Sequence, residues 1–473
     1  MLNPGTIKVK PPASRYRPMK RAGALAHLLV VLALVLPALA VLPSAAAHHP
    51  GSVMGLARYE AYYGPLGSKN IVHRNPDVDA TLARWESTYP EFVSRSTIGK
   101  TTAGFDIYNV LVTDESVPFD GAALSTGKKL RVYLDGGHHG NEYMGVELVM
   151  YWLEELLAKA GAGDAETLQF LRDVEVHATP IVNVEGNLLD TRKNGRQVDP
   201  NRNYPFEWGG PGSGATVNSF TYRGPSPASE PEVQANIAFA ESISPDVWVT
   251  MHTGVAEFYW PWGWTHDPSP DDEFFTSLEA PFEEATNGRV DAMQAAELYL
   301  AAGATDDFGY GAMGVPTFTY EVHEDQFIPV YGQPIPDVIR DQLNGLEWVV
   351  RNVRHMGAWV EPTLTAEGLR LENQGWGKAV NVTVELKGRA VVVPEIPRGG
   401  AVTVPATSDE AEGATVTYPV LLINTSRVRT HYVDTAIAHT QANEKPVPAL
   451  GLAGLLAAAG VAAAALVARR RLR

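Results

Sequence analysis

A large α/β domain, a small all-β sandwich and a C-terminal transmembrane helix make up the fold class that this 473-residue chain predicts. Three observations carry it. Between residues 72 and 356 strand-like apolar runs alternate with amphipathic helical stretches, the pattern of an α/β domain. Beyond Glu361 the texture changes to short alternating segments separated by Gly and Pro. Residues 448–468 then form an uninterrupted run of Ala, Leu, Gly and Val that ends in Arg469, Arg470, Arg471 and Arg473. That run is long enough to cross a bilayer with the basic tail, 469–473, left on the cytoplasmic side.

Within 72–358 the periodicity predicts a helix over 77–89, strands over 108–113 and 130–134, and a helix over 142–159. Val146, Leu148, Val149, Trp152, Leu156 and Leu157 give that last helix a broad apolar side. A buried strand is expected over 174–183, a helix over 231–243, and strands over 247–252 and 317–322. A long helix over 335–356 closes the domain, with Ile339, Leu343, Leu346, Val349, Val350 and Val353 on one side. The segment 194–227 is rich in Gly, Pro, Ser and Asn without a period, and so long an irregular stretch inside a domain is usually functional or disordered. The sandwich is expected over 359–440, with strand-like segments at 369–371, 380–386, 401–404 and 415–423, followed by a linker over 441–447. Asn381-Val-Thr and Asn424-Thr-Ser are glycosylation sequons on that part.

The formal charge of −16 argues against a nucleic-acid surface, which needs a basic patch. The chain has no cysteine, so any metal site must draw on His, Asp and Glu. Near the N-terminus Arg15, Arg17, Lys20 and Arg21 precede an apolar stretch over 22–42, and Ser44 with Ala45, Ala46 and Ala47 follows. That order reads as a secretory signal peptide over 1–47, with a permanent anchor as the alternative, and 48–71 as an extension. The two ends together place the bulk of the chain on the outer face of the cell membrane, held there by the C-terminal helix or processed there. An apolar helix with terminal arginines also resembles sorting tags that a membrane peptidase removes.

The segment 134–143, Leu-Asp-Gly-Gly-His-His-Gly-Asn-Glu-Tyr, places a histidine and a glutamate three residues apart at the end of an apolar run. His139 and Glu142 can grip one metal ion there. A plainer account of the same residues is a strand-to-helix turn, with Glu142 beside the positive end of the helix dipole. A third ligand candidate is His252, at the C-terminal end of the apolar strand 247–252, where open α/β sheets place ligand-contacting groups. Glu321 ends another strand, and a carboxylate beside zinc can take a proton from metal-activated water. Arg192 and Arg202 lie in or beside the irregular segment, offering guanidinium groups able to stabilise an oxyanion or hold a carboxylate.

Taken in order, Gly137-His-His-Gly-Asn-Glu, Arg192-Lys, Val198-Asp-Pro-Asn-Arg-Asn, Tyr222-Arg-Gly-Pro, Ser229-Glu-Pro-Glu, Met251-His and Phe318-Thr-Tyr-Glu resemble the zinc metallocarboxypeptidases of the carboxypeptidase A and B type. The resemblance covers about 89–356, and includes Ile98-Gly-Lys-Thr and Trp260-Pro-Trp-Gly. It implies a mixed central sheet flanked by helices and one Zn2+ bound by His139, Glu142 and His252. It further implies Asp199 as the carboxylate that orients His139, Glu321 as general base and Arg192 as oxyanion donor. Asn201 and Arg202 would hold the substrate's terminal carboxylate and Tyr299 would close over the bound residue. The expected substrates are peptide or protein C-termini. Asp306 falls where basic-specific members carry an aspartate, which raises a preference for C-terminal Lys or Arg.

The sequence also departs from the family pattern. His138 stands beside the expected ligand, so the two histidines could exchange roles, although the spacing to Glu142 favours His139. His252 is followed by Thr253-Gly254 where the family commonly has Ser-Tyr, and Glu321 by Val-His-Glu-Asp where it has Leu-Arg-Asp. No inhibitory pro-domain of the pancreatic kind is expected to fit between residue 48 and the catalytic domain. An aspartoacylase-like amide deacylase, with a similar Gly-Gly-x-His-Gly-Asn-Glu turn, is a second reading. An inactive peptide-binding or adhesion protein at the cell surface is a third.

Overall fold

The computed structural model describes residues 72–115, 126–323 and 335–433, all within the larger of two compact units, Met54–Arg473. The expected signal peptide, 48–71 extension, linker, transmembrane run and basic tail all lie outside the described residues. Among the described residues no helix is long and apolar enough to cross a membrane.

The chain enters through α1 (Asn75–Thr88) and a hairpin of β1 (Val93–Lys100) and β2 (Asp106–Val112). It then builds β3 (Leu130–Gly136), α2 (Tyr143–Gly161), α3 (Ala165–Asp173), β4 (Val174–Thr179), α4 (Val184–Leu189), α5 (Pro231–Ile243) and β5 (Val247–His252). There follow β6 (Glu257–Trp260), α6 (Asp272–Ala285), β7 (Asp291–Gln294), α7 (Thr305–Gly311), β8 (Thr317–Glu321), α8 (Ile335–Val338) and α9 (Arg340–Arg351). The eight strands form one sheet in the order β1-β2-β4-β3-β5-β8-β6-β7. The central neighbours β4, β3, β5 and β8 run parallel, while β1, β2 and β6 make antiparallel contacts. The sheet is therefore mixed, as the resemblance implied.

Parallel strands need crossovers that cover both faces, so their residues are apolar on both sides. In β3, Val132 and Leu134 enter one core with α2, α6 and α9, whereas Tyr133 joins Trp248, Val233 and Phe308 in a second core on the opposite face. Every residue of β5 and of β8 is buried, while the edge strand β1 is mostly exposed along its length. Each fully buried Val or Leu contributes about 1.5–3 kcal/mol of transfer free energy, so α2, with Leu148, Val149, Leu153 and Leu157 all at 0% exposure, is locked against the sheet.

Two of the expected elements change shape. The strand expected over 174–183 stops at Thr179, because Pro180 has no N–H for the ladder, and Ile181 and Val182 are buried in a turn. There Val182 N donates to Gly136 O and Asn183 N to Gly137 O, which joins this turn to the end of β3. The helix expected over 335–356 is broken into α8, α9 and a 3-10 turn over Val353–His355, with Ile339 out of helical geometry at the first break.

After α9 come β9 (Val360–Thr365), β10 (Gly368–Asn373), β11 (Ala379–Leu386), β12 (Arg389–Ile396), β13 (Ala401–Val404), α10 (Ser408–Ala411), β14 (Thr415–Pro419) and β15 (Val428–Tyr432). They form sheets ordered β13-β10-β9 and β12-β11-β14-β15. Leu369, Leu371, Val382, Val384, Val416 and Tyr418 bury one apolar cluster shared by the two sheets. The strand expected over 415–423 ends at Pro419, and Val420 and Leu421 instead join the core of the α/β domain. Asp271 accepts hydrogen bonds from Leu422 N (2.8 Å) and Ile423 N (3.0 Å), and Arg429 pairs with Asp246 at 2.8 Å, so the β-rich part is built onto the larger domain.

Candidate metal centre and active site

Three parallel strands end on the same edge of the sheet, and each delivers a polar side chain there: β3 through the turn to His139, β5 through His252, β8 through Glu321. Gly137 takes a φ of +60°, and an added Cβ would meet Ile181 Cα at 3.1 Å, so only glycine makes this turn without strain. Gly140 lies closer still, its missing Cβ falling 1.9 Å from Gly186 C. The turn leaves Glu142 at the start of α2.

His139 Nδ1 and Glu142 Oε1 are 2.8 Å apart, His252 Nδ1 lies 2.9 Å from Glu142 Oε2, and the two Nδ1 atoms are separated by 3.2 Å. All three residues are buried, and their ligand atoms lie within 4.8 Å of one another. Two imidazole nitrogens and a carboxylate converging on one buried point form a nitrogen and oxygen donor set that fits zinc with a position left open. Burial alone would raise the pKa of Glu142, but the two imidazoles hold it below the usual carboxylate range.

The ligands are themselves held. Asp199, fully buried, sets Oδ1 3.0 Å from His139 Nε2, and its Oδ2 accepts from Arg192 Nε (3.0 Å) and Nη2 (2.9 Å). Burial opposes its charge, yet Arg192 and His139 keep Asp199 well below the ordinary carboxylate range. Arg192 Nη1 lies 3.4 Å from Glu142 Oε1, so its guanidinium stands beside the ligand set. Thr253 N donates to Glu142 Oε2 (3.2 Å), while Thr253 Oγ1 accepts from Gly145 N (3.0 Å). The Thr253-Gly254 departure thus ties the first turn of α2 to the end of β5.

His138 turns the other way. It is fully buried, with Nε2 2.8 Å from Tyr204 Oη and 3.2 Å from Thr305 Oγ1, and Nδ1 3.3 Å from Thr250 Oγ1. Burial, with His252 and His139 nearby, holds its pKa well below the usual histidine value. Of the two adjacent histidines, His139 joins the ligand cluster.

A cleft of about 410 Å³ opens over the ligands, with Glu142, Arg192, Arg202, Phe220, Tyr299 and Glu321 on its walls. Glu321 Oε2 is buried without a hydrogen-bond partner among the described residues, and burial, then the charge of Glu142, pushes its pKa well above the ordinary value. A buried carboxylate oxygen left unpaired costs free energy unless a ligand or ion meets it, and here it faces the cleft beside the donor set. Arg202 Nη1 donates to Asn201 O (2.7 Å), and the Tyr299 ring lies 5.8 Å from its Cζ at the half-exposed mouth.

Two of the expected residues are buried beside the site. The Asn201 Nδ2 lies 3.1 Å from His252 Nε2, and its Oδ1 accepts from Thr305 N and Oγ1, each at 2.9 Å. Asp306 is buried in the first turn of α7, its Oδ1 accepting from Asp307 N at 3.0 Å. Sequence reasoning missed Tyr204 and Asn236, which link His138 to Asp135 through buried hydrogen bonds, and Thr305, which joins His138 to Asn201. It also missed Phe220, whose ring centre lies 4.6 Å from Arg192 Cζ. An isolated aromatic in a Gly- and Ser-rich segment was the signal available for the last.

Residues 78–344 match the model of the zinc carboxypeptidase family. The chain is 26% identical over 288 residues to carboxypeptidase B of Astacus astacus, covering 53% of this chain and 86% of that protein. It is 25% identical to carboxypeptidase A2 of Mus musculus, covering 52% and 64%. Among solved structures, bovine thrombin-activatable fibrinolysis inhibitor in complex with tick carboxypeptidase inhibitor superposes with a TM-score of 0.51 at 22% identity, covering 60% of this chain and 98% of that one. Carboxypeptidase A from Helicoverpa armigera gives a TM-score of 0.52 at 18% identity, covering 68% and 81%. The family match spans His139, Glu142, His252 and Glu321, and the chain belongs to the zinc carboxypeptidase family of peptide hydrolases.

Proposed function

We propose that this protein removes single residues from the free C-termini of peptides outside the cytoplasm. The observation that carries the reading is the cleft itself: Glu142 of the buried His, Glu, His donor set lines it with two arginines and with Glu321, whose Oε2 has no partner among the described residues. His139, Glu142 and His252 would hold zinc, which when bound supplies Lewis acidity to the scissile carbonyl and to attacking water, and a charge that offsets Glu142.

The chain's own groups do the rest. Glu321 accepts a proton from the attacking water and returns it to the leaving amine. Arg192, pinned by Asp199, presents its guanidinium to the oxygen that gains negative charge. Arg202 pairs with the terminal carboxylate, and Tyr299 covers the bound residue and excludes water. Asn201 acts from beneath, steadying His252.

A preference for C-terminal Lys or Arg would rest on Asp306. Burial raises the pKa of that carboxyl, and a cationic side chain entering beside it would restore its charge. Equal kcat/KM for peptides ending in Lys and in Phe would remove this preference. Export by the 1–47 segment and anchoring by 448–468 complete the reading, and the mass of the mature C-terminus tests whether Arg473 is retained. The activity is tested with matched peptides bearing a free or an amidated C-terminus. Release confined to the free acids, and abolished by a zinc chelator, is the expected result; cleavage of both alike contradicts an exopeptidase.

A further inference from the structure

The cleft holds two aromatic rings, each against an arginine. Tyr299 stands by Arg202, and Phe220 by Arg192 at 4.6 Å. Arg192 also lies 3.4 Å from the ligand Glu142, so its end of the cleft is the end where the scissile carbonyl must sit. A terminal carboxylate held at Arg202 leaves the residue before the scissile bond beside Arg192, and hence beside Phe220.

Phe220 is built to be available there. It is 69% exposed, yet the loop that carries it is fixed: Gly214 N donates to Thr221 O (2.7 Å), Arg223 N to Gly214 O (3.0 Å), and Lys193 Nζ to Val217 O (2.9 Å). Arg202 Nε reaches Gly212 O at 3.4 Å, so the loop is tied to both arginine segments. Thr253 and Gly254 line the cleft without a large side chain. Phe220 is therefore the aromatic surface that stands beside Arg192, while Val255 and Leu298 also line the cleft.

We propose that Phe220 sets specificity for the penultimate residue of the substrate, favouring aromatic and large aliphatic side chains. Burying such a group against an exposed ring gains apolar contact that glycine cannot supply. The proposal rests on the carboxypeptidase reading above.

The test uses the purified protein with N-blocked tripeptides carrying Gly or Phe at the penultimate position, each made with Lys and with Phe at the C-terminus. The wild type is expected to show a kcat/KM ratio, Phe over Gly, of roughly ten or more. In F220A that ratio falls toward one, and in F220Y it is kept, which separates ring contact from loss of folding. A wild-type ratio near one overturns the proposal. So does an equal loss for both peptides in F220A, because Phe220 would then act only through Arg192. If the wild type releases no terminal residue from any peptide, the carboxypeptidase reading itself fails and the proposal falls with it; release with an unaltered ratio in F220A sinks the proposal alone.

Discussion

His252 and Glu321 are direct register partners at the ends of neighbouring parallel strands, so the metal ligand and the unpaired carboxylate are set side by side by the backbone ladder. Register in a sheet buried on both faces is strongly specified, because a slip by one residue would turn every side chain to the opposite face. The relation between His252 and Glu321 is thus fixed by the packing of β5 and β8 rather than by a loop.

Asp199 joins His139 to Arg192 and should govern both. In D199N the amide keeps one acceptor but loses the charge that fixes the imidazole, and zinc affinity should fall by roughly 10–100-fold. Chelator competition followed by metal analysis reads this directly. Unaltered affinity would show that the ring is held by packing alone.

Arg202 should distinguish a free carboxylate from its amide. A hydrogen bond to a charged group is worth about 1.5–3 kcal/mol, so R202A should lose roughly 10–100-fold in kcat/KM on free-acid peptides and much of its discrimination against amidated ones. Its main-chain bonds to Asn201 and Gly212 also brace the loop, and R202K separates the charge from that bracing.

Glu232 gives stability a pH dependence. Asn194 Nδ2 donates to both Glu230 Oε2 (2.7 Å) and Glu232 Oε1 (2.5 Å), and burial raises the Glu232 carboxyl to about 7 despite that bond. Its folded pKa lies above the ordinary carboxylate value, so over the window between them the folded state keeps a proton that the unfolded chain has released. Stability then declines as pH rises toward 7 and levels off above it. E232Q keeps the acceptor without the ionisation, and its unfolding free energy should fall less between pH 5 and pH 8 than that of the wild type, a difference on the order of 1–3 kcal/mol. An identical fall in both proteins would assign the effect to other groups.

Asp271 joins the two parts of the chain. It accepts from Leu422 N, Ile423 N and, at 2.8 Å, Tyr310 Oη, and Tyr310 belongs to α7. D271A leaves these buried donors unpaired and should cost about 1–3 kcal/mol each where water cannot replace the carboxylate. A lower urea midpoint for the whole chain is expected; a separate early transition of the β-rich part would instead mark it as an independent unit.

Much of this was legible in the sequence where pattern and physics agreed. The bounds of α5 and β5 were read as they stand, because Pro231 marks a helix start and the 247–252 run is apolar throughout. The strand through 183 was over-read because Ile181 and Val182 continue the apolar run, while Pro180 ends the ladder. Helix α6 escaped notice because Pro281 lies inside it, and α3 although Asp164 caps it by accepting from Thr167 N. The ligands and Glu321 were legible because each closes a strand or its turn. Asn201 and Asp306 were named by motif, but the packing of Thr305 and α7 that buries them could not be read from the sequence. Phe220 had no motif to announce it, and its partner Arg192 is distant in sequence.

The central claim is that Glu321 moves the proton while His139, Glu142 and His252 hold the metal. E321Q removes the base and leaves the donor set whole. Release of the terminal residue should fall by about 10²–10⁴-fold with the zinc content of the protein maintained. Activity close to that of the wild type in zinc-loaded E321Q would contradict the account.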